Sequence, residues 1–157
     1  MFSKNKMKIK QKIIVFAGGG TGGHFYPLFA IIKSLSQIGG ESIRVAYMGV
    51  NHSLNKELET LGVPVWLIAS SKLRRYASIS NIIDFFKFFF GVFQAFVKLY
   101  IVMPDLVFSK GGPGALPVIL AARFYRISVY IHESDAIPGL TNKISSYFAE
   151  KVFISFE

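Results

Sequence analysis

The chain has 157 residues and a formal net charge of +9, with 52% hydrophobic residues, sixteen phenylalanines and a mean hydropathy of +0.43. That length supports one domain with a hydrophobic core, and the absence of cysteine excludes disulfides and thiolate metal sites. An apolar composition joined to a basic charge points to an anionic membrane surface or a phosphate-bearing ligand; with no nucleic-acid recognition module in view, no nucleic-acid partner is expected.

Residues 1–11 read as a basic N-terminal tail. "MFSKNKMKIKQK" holds five lysines and runs into the five-residue apolar stretch "IIVFA". A signal peptide needs a longer apolar core and a small-residue cleavage site, so the stretch reads as a buried strand over 13–17 in a cytoplasmic protein. "GGGTGGH", Gly18 to His24, follows it. The loop satisfies G-x-G-x-x-G, but a dinucleotide site also needs a carboxylate closing the second strand. That strand ends "AYMGVNH", without one, and no Gly-Lys-Ser/Thr of a P-loop occurs. What remains is bare backbone before a helix, where free N–H groups and the positive end of the helix dipole favour an anion.

A helix is expected over 26–38, a strand over 43–48, a helix over 54–61 and a strand over 65–69. His52, in a polar turn, is expected to be solvated only. "SSKLRRYA" then contributes Lys72, Arg74 and Arg75, each worth about 1 kcal/mol beside anionic head groups. A helix over 79–103 carries Asp84, Lys87, Gly91, Gln94 and Lys98 in one narrow stripe, with apolar side chains, among them Phe85, Phe86, Phe89 and Phe93, around the rest of the cylinder. It is long enough to span a membrane, but its charges would each cost about 2–3 kcal/mol near the bilayer centre. The pattern suits a helix lying between a sheet and a membrane surface; burial against another domain or subunit is the alternative.

A strand over 106–109, a helix over 114–125, a strand over 128–132, a helix over 139–148 and a strand over 152–155 complete the chain. Near-continuous apolar strands alternating with helices predict an α/β fold, a Rossmann-like doubly wound parallel sheet spanning 12–157. Ligands in such sheets bind beyond the carboxyl ends of the strands, so the loops 18–24, 110–114 and 132–138 are expected to line one crevice.

"GGTGGHFYPLFAIIKSL" resembles the N-terminal signature of the MurG family of peptidoglycan glycosyltransferases, and "GGPGALPVILAARFYRISVYIHESDAIPGLTNKISSYFAEKVFISF" resembles that family's later Gly-Gly and His-Glu segment. The resemblance runs from about Lys12 to the last residue. It implies the N-terminal half of a GT-B glycosyltransferase, expected to need a C-terminal donor domain beyond Glu157. The implied partners are UDP-GlcNAc and undecaprenyl-pyrophosphoryl-MurNAc-pentapeptide, on the cytoplasmic face of the cell membrane as a peripheral protein, without cofactor or metal. By match to the family's pattern, Thr21, Gly22 and Gly23 approach the donor's diphosphate and sugar, and His24 is the general base or acceptor-positioning group. Gly111 and Gly112 cradle the acceptor pyrophosphate, while His132, Glu133, Asp135 and Asn142 belong to the second motif. Two departures stand out. Asp135 replaces a usual asparagine, giving an acceptor that repels phosphate where the family has a donor. "SKGGPGALP" replaces a usual Gly-Gly-Tyr-Val-Ser, leaving Lys110 as the charge nearby. A separately encoded C-terminal half, or a role as a non-catalytic membrane-anchoring subunit of a split glycosyltransferase, are the alternatives to one continuous enzyme.

Overall fold

The structure, a computed structural model, describes residues 11–40, 42–70 and 80–156. In chain order the elements are β1 (Lys12–Gly18), α1 (Gly22–Ile38), β2 (Ile43–Gly49), α2 (Asn55–Thr60), β3 (Val65–Leu67), α3 (Ser80–Val102), β4 (Leu106–Gly111), α4 (Ala115–Phe124), β5 (Ser128–Glu133), α5 (Leu140–Ser146) and β6 (Lys151–Ile154). All strands pair in parallel, in the order β3-β2-β1-β4-β5-β6. The chain winds outward from β1 to β3, returns to the middle at β4 and winds the other way. The crevice above the β1–β4 junction is therefore the switch point where such sheets bind ligands.

Alternation along β1 divides the interior. Phe16 faces α1 and α2, packing with Phe25, Leu28, Ile32, Tyr47, Leu58 and Val63. Val15 and Ala17 face α3 and α4, packing with Met48, Ala95, Leu99, Val107 and Ile119. Both faces of the central strands are covered, which is why their sequences are apolar without interruption.

Several element boundaries differ from the sequence expectation. Helix α1 begins at Gly22, four residues before the expected 26, because Phe25 already belongs to the buried stripe Phe25, Leu28 and Ile32. Pro27, inside that helix, withholds a bond only from the Gly23 carbonyl, at an exposed position of the first turn. Strand β3 stops at Leu67 rather than 69, since the Ala69 N–H donates to Gln94 Oε1 at 2.7 Å instead of to a neighbouring strand. Strands β4 and β5 run on to Gly111 and Glu133, which puts site residues on rigid strand ends.

Helix α3 turns Gly91, Gln94 and Lys98 of its polar stripe inward, while Lys87 stays exposed. Gln94 accepts from Ala69, Lys98 donates to the Leu67 carbonyl, and Gly91 lies so close to Ala69 that an added Cβ would sit 2.0 Å from its carbonyl oxygen. Burial lowers the Lys98 ammonium pKa below the ordinary lysine value. Ala95 and Leu99 are buried against the domain, while Phe85, Phe86, Phe89 and Phe93 are 59%, 68%, 53% and 65% exposed. The segment Ile83–Val102 is long and apolar enough to cross a membrane by length and composition. Lys72, Arg74, Arg75 and residues 1–10 of the basic tail lie outside the described residues.

Candidate functional site

Three strand exits meet above the β1–β4 junction, and backbone-to-backbone packing brings them together. Gly112, at φ +87°, approaches the β1 exit so closely that a Cβ there would lie 2.4 Å from the Gly19 carbonyl oxygen and 3.3 Å from the His24 ring. Only glycine fits that backbone and that gap. From the β2 side, the Tyr47 hydroxyl donates to the Gly18 carbonyl at 2.9 Å and lies 3.1 Å from the Val50 carbonyl, tying the β1 and β2 exits together. Burial pushes this phenol's pKa far up, so it stays protonated and keeps donating.

Thr21 is the N-cap of α1, in extended conformation, yet its side chain makes no cap hydrogen bond. Its Oγ1 instead lies 2.6 Å from His24 Nδ1. The His24 and Phe25 N–H groups both bond the Thr21 carbonyl. No side chain caps the N–H groups of Gly22 and Gly23, and the space where a Gly23 side chain would stand is empty. A helix start left this way offers donors and a partial positive charge to an anion.

His24 is half-buried. Burial lowers its pKa below the usual 6.5, the Lys110 ammonium lowers it further, and Asp135 and Glu133 only partly oppose them. The imidazole is therefore neutral at physiological pH, the form that can take a proton.

Lys110, at the end of β4, is 2% exposed and donates to Ser134 Oγ, clasping the β4 exit to the β5 exit. Beneath the clasp, Asn142 Nδ2 donates to Glu133 Oε2 at 2.8 Å, and the Asp135 N–H donates to Glu133 Oε1 at 2.9 Å. Burial alone would raise the Glu133 pKa; those hydrogen bonds and Lys110 outweigh it, and the net shift is downward. Asn142 also fills the space over Gly111, where a Cβ would lie 1.9 Å from its Oδ1. His132 is turned to the sheet edge, its Nε2 3.2 Å from Ser155 Oγ, with a pKa lowered first by burial and then by Lys110.

Thr21, Gly22, Gly23 and His24 thus gather at one helix start, and Gly112 and Lys110 stand beside them. Gly111, Glu133 and Asn142 form a buried scaffold beneath. Asp135 is exposed at the rim, 3.4 Å from Ser134 Oγ. One expectation fails: His52 is not merely solvated. It stacks on Phe25 at 4.2 Å between ring centroids, meets Tyr26 edge-on, and its Nδ1 accepts the Leu54 N–H at 3.3 Å. The histidine belongs to the wall of the crevice because Phe25 sits in the first turn of α1, which the glycine pattern had marked as loop. The Lys110–Ser134 clasp and the Tyr47 tie left no spacing signal in the sequence. Among the described residues no cluster of His, Asp and Glu could hold a metal ion.

The sequence matches the glycosyltransferase family 28 N-terminal domain over residues 14–154. A Bacillus cereus protein named UDP-N-acetylglucosamine–N-acetylmuramyl-(pentapeptide) pyrophosphoryl-undecaprenol N-acetylglucosamine transferase 2 is 43% identical over 148 residues, covering 94% of this chain and 41% of the relative. A Legionella pneumophila transferase of the same name, without the numeral, is 43% identical over 145 residues, covering 92% and 39%. The crystal structure of Acinetobacter baumannii MurG aligns with a TM-score of 0.74 at 31% identity, covering 93% of this chain and 41% of that one. The glycosyltransferase SsfS6 of Streptomyces sp. SF2575, at 16% identity and a TM-score of 0.53, shares the fold. The chain spans about two fifths of the length of the curated relatives it matches.

Proposed function

The chain belongs to the glycosyltransferase family 28 N-terminal domain family, and on that premise we propose that it supplies the acceptor and membrane half of a transferase. The reaction is the one its curated relatives are named for, moving N-acetylglucosamine from UDP-N-acetylglucosamine to N-acetylmuramyl-(pentapeptide) pyrophosphoryl-undecaprenol. A donor-binding half, in the same chain or separately encoded, completes the site.

The observation that carries this reading is the Thr21–His24 couple at an uncapped helix start. Gly22 and Gly23 present N–H groups to the donor's diphosphate. In the tautomer that serves the reaction, His24 Nδ1–H donates to Thr21 Oγ1 and leaves the lone pair on Nε2. Nε2 takes the proton of the attacking C4 hydroxyl of the muramyl sugar. The hydroxyl oxygen bonds C1 of N-acetylglucosamine, the C1–phosphate oxygen bond breaks, and UDP departs with its electron pair, so C1 is inverted. Gly112 and Lys110 place neutral backbone and one cation beside the acceptor's pyrophosphate.

A chimera in which this chain replaces the matching portion of the Bacillus cereus relative tests the reading. Transfer of labelled N-acetylglucosamine to the lipid-linked acceptor is expected, and a folded chimera that binds both substrates without transfer overturns it. Because only the neutral imidazole acts, kcat/KM should fall on the acid side with a midpoint below 6.5, the ordinary histidine value. Lys110→Met, which removes a charge that lowers that midpoint, should move the acid limb upward; an unmoved limb excludes His24 as the titrating group.

The outer face of α3 is proposed to rest on an anionic membrane surface at the cytoplasmic side. Phe86 and Phe93, 68% and 65% exposed, offer apolar area, and Lys72, Arg74 and Arg75 offer charge. Phe86→Ser with Phe93→Ser should weaken sedimentation with phosphatidylglycerol vesicles by at least about tenfold. Equal sedimentation of wild type and double variant would remove the surface. A non-catalytic anchoring subunit would retain this face but have no use for the Thr21–His24 couple.

A further inference from the structure

On the far side of the His52 stack, between the β2 exit, α2 and the edge strand β3, lies a second cavity of about 500 Å³ lined by Asn51, His52, Asn55, Lys56, Glu59 and Leu67, among others. Its volume falls within the roughly 300–1,000 Å³ of small-ligand sites. No part of the transfer step described above uses it.

Asn55 is 6% exposed and lines this cavity. Its Nδ2 donates to Asn51 Oδ1 at 3.1 Å, while its own Oδ1 is buried without a hydrogen-bond partner. Turning both amides over would reverse that bond and orphan the Asn55 nitrogen instead, so one polar atom of Asn55 stays unpaired in either arrangement. Leaving a buried polar atom unpaired is unfavourable, and such atoms are normally satisfied by protein, water or ligand. The His52 ring adds a second unused group: with Nδ1 accepting from Leu54, the neutral ring carries its proton on Nε2.

Lys56 and Glu59 lie one helical turn apart on α2, line the same cavity, and make no ion pair among the described residues. Glu59 in the lining would repel a bare diphosphate, so the cavity is not built for an anion alone. A site with an amide, an imidazole, a cation and an anion over the apolar side chains of Val65 and Leu67 matches a short peptide. Backbone amides satisfy Asn55, a free carboxylate meets Lys56, an amine meets Glu59, and aliphatic side chains rest on the edge strand.

We propose that this cavity is a peptide subsite, and that it holds the peptide stem of the acceptor while the sugar and phosphates occupy the glycine crevice. The proposal rests on the reading of the chain as an acceptor-binding half. The Phe25–His52 stack is the shared wall between the two sites, and Val50, whose methyl lies 3.4 Å from a Cβ position on Gly19, directly precedes Asn51 of the cavity lining.

The test is amide NMR of the 157-residue chain in detergent, titrated separately with soluble N-acetylmuramyl-pentapeptide, N-acetylmuramic acid and inorganic pyrophosphate. The pentapeptide is expected to shift resonances of residues 51–59 and 65–67, the free sugar to leave them unmoved, and pyrophosphate to shift residues 18–24 and 110–112 but not 51–59. Lys56→Glu and Glu59→Lys, both at exposed positions, should each weaken the pentapeptide by at least about fivefold without altering pyrophosphate binding. Asn55→Leu should abolish the peptide shifts; the charge variants keep the test valid if that buried change unfolds the chain. Unchanged pentapeptide affinity in both charge variants, or pentapeptide shifts that avoid 51–59, overturns the proposal. Pyrophosphate that fails to move residues 18–24 while the peptide still moves 51–59 would count against the transferase reading and leave the peptide subsite standing.

Discussion

Alanine in place of His24 is expected to lower the rate of N-acetylglucosamine transfer by roughly 10²–10⁴-fold, the usual contribution of a positioned proton acceptor. On the proposed mechanism the loss falls on kcat, because an imidazole that takes the hydroxyl proton as the new bond forms holds little of the substrate beforehand. Thr21→Val, which keeps the shape of the helix start but removes the partner of Nδ1, should give a smaller loss. Thr21→Ser should restore most of it, since a serine hydroxyl can occupy the same 2.6 Å contact. Measured in the chimera with labelled donor, equal rates for wild type and His24→Ala would exclude His24 from the mechanism.

The largest expected effect on stability is at Gly111. Its φ of +89° strains any side chain, and the Cβ of alanine would meet Asn142 Oδ1 at 1.9 Å, Cγ at 2.6 Å and Nδ2 at 2.7 Å. Asn142 has to move, and Glu133 then loses the 2.8 Å bond that satisfies one carboxylate oxygen. Backbone strain of about 1–2 kcal/mol and a lost charged hydrogen bond of about 1.5–3 kcal/mol give roughly 3–5 kcal/mol. That is a large share of the 5–15 kcal/mol that ordinarily holds a domain together, and urea unfolding should detect it directly. Removing the obstructing side chain separates the two contributions. In Gly111→Ala with Asn142→Ala only the backbone strain is added to the lost hydrogen bond, so the double variant should be more stable than the sum of the single variants by about 2 kcal/mol. Strict additivity would show that the two residues do not share this space.

The same residues mark what could be read in advance. Apolar strands at Val15–Ala17 and Val129–Ile131 announce a parallel sheet covered on both faces, because burial on both sides leaves no polar alternation to confuse the pattern. The glycine runs announce close backbone approach, and their position after strands puts three loops at one end of the sheet. Helix starts were harder. Gly22 and Gly23 have weak helical preference, and only the packing of Phe25 against Tyr47 and His52 settles where α1 begins. Contacts between residues far apart in sequence left no pattern at all: Lys110 with Ser134, Asn142 with Glu133 and Tyr47 with Gly18 depend on which strands become neighbours. For the same reason the stripe on α3 was visible while its direction was not. Periodicity groups Gly91, Gln94 and Lys98 on one side of the cylinder, but the unpaired backbone at the end of β3 decides that this side points inward.

That anchoring has a mechanical consequence. A helix held by Gln94, by Lys98 and by the tight fit of Gly91 cannot roll about its long axis. Its phenylalanines therefore keep a fixed bearing relative to the strand ends, as a keel does to a hull. Any flat layer that receives those rings also sets the tilt of the opening above β1 and β4, so a long-chain carrier lying in the layer would meet the opening always from the same side.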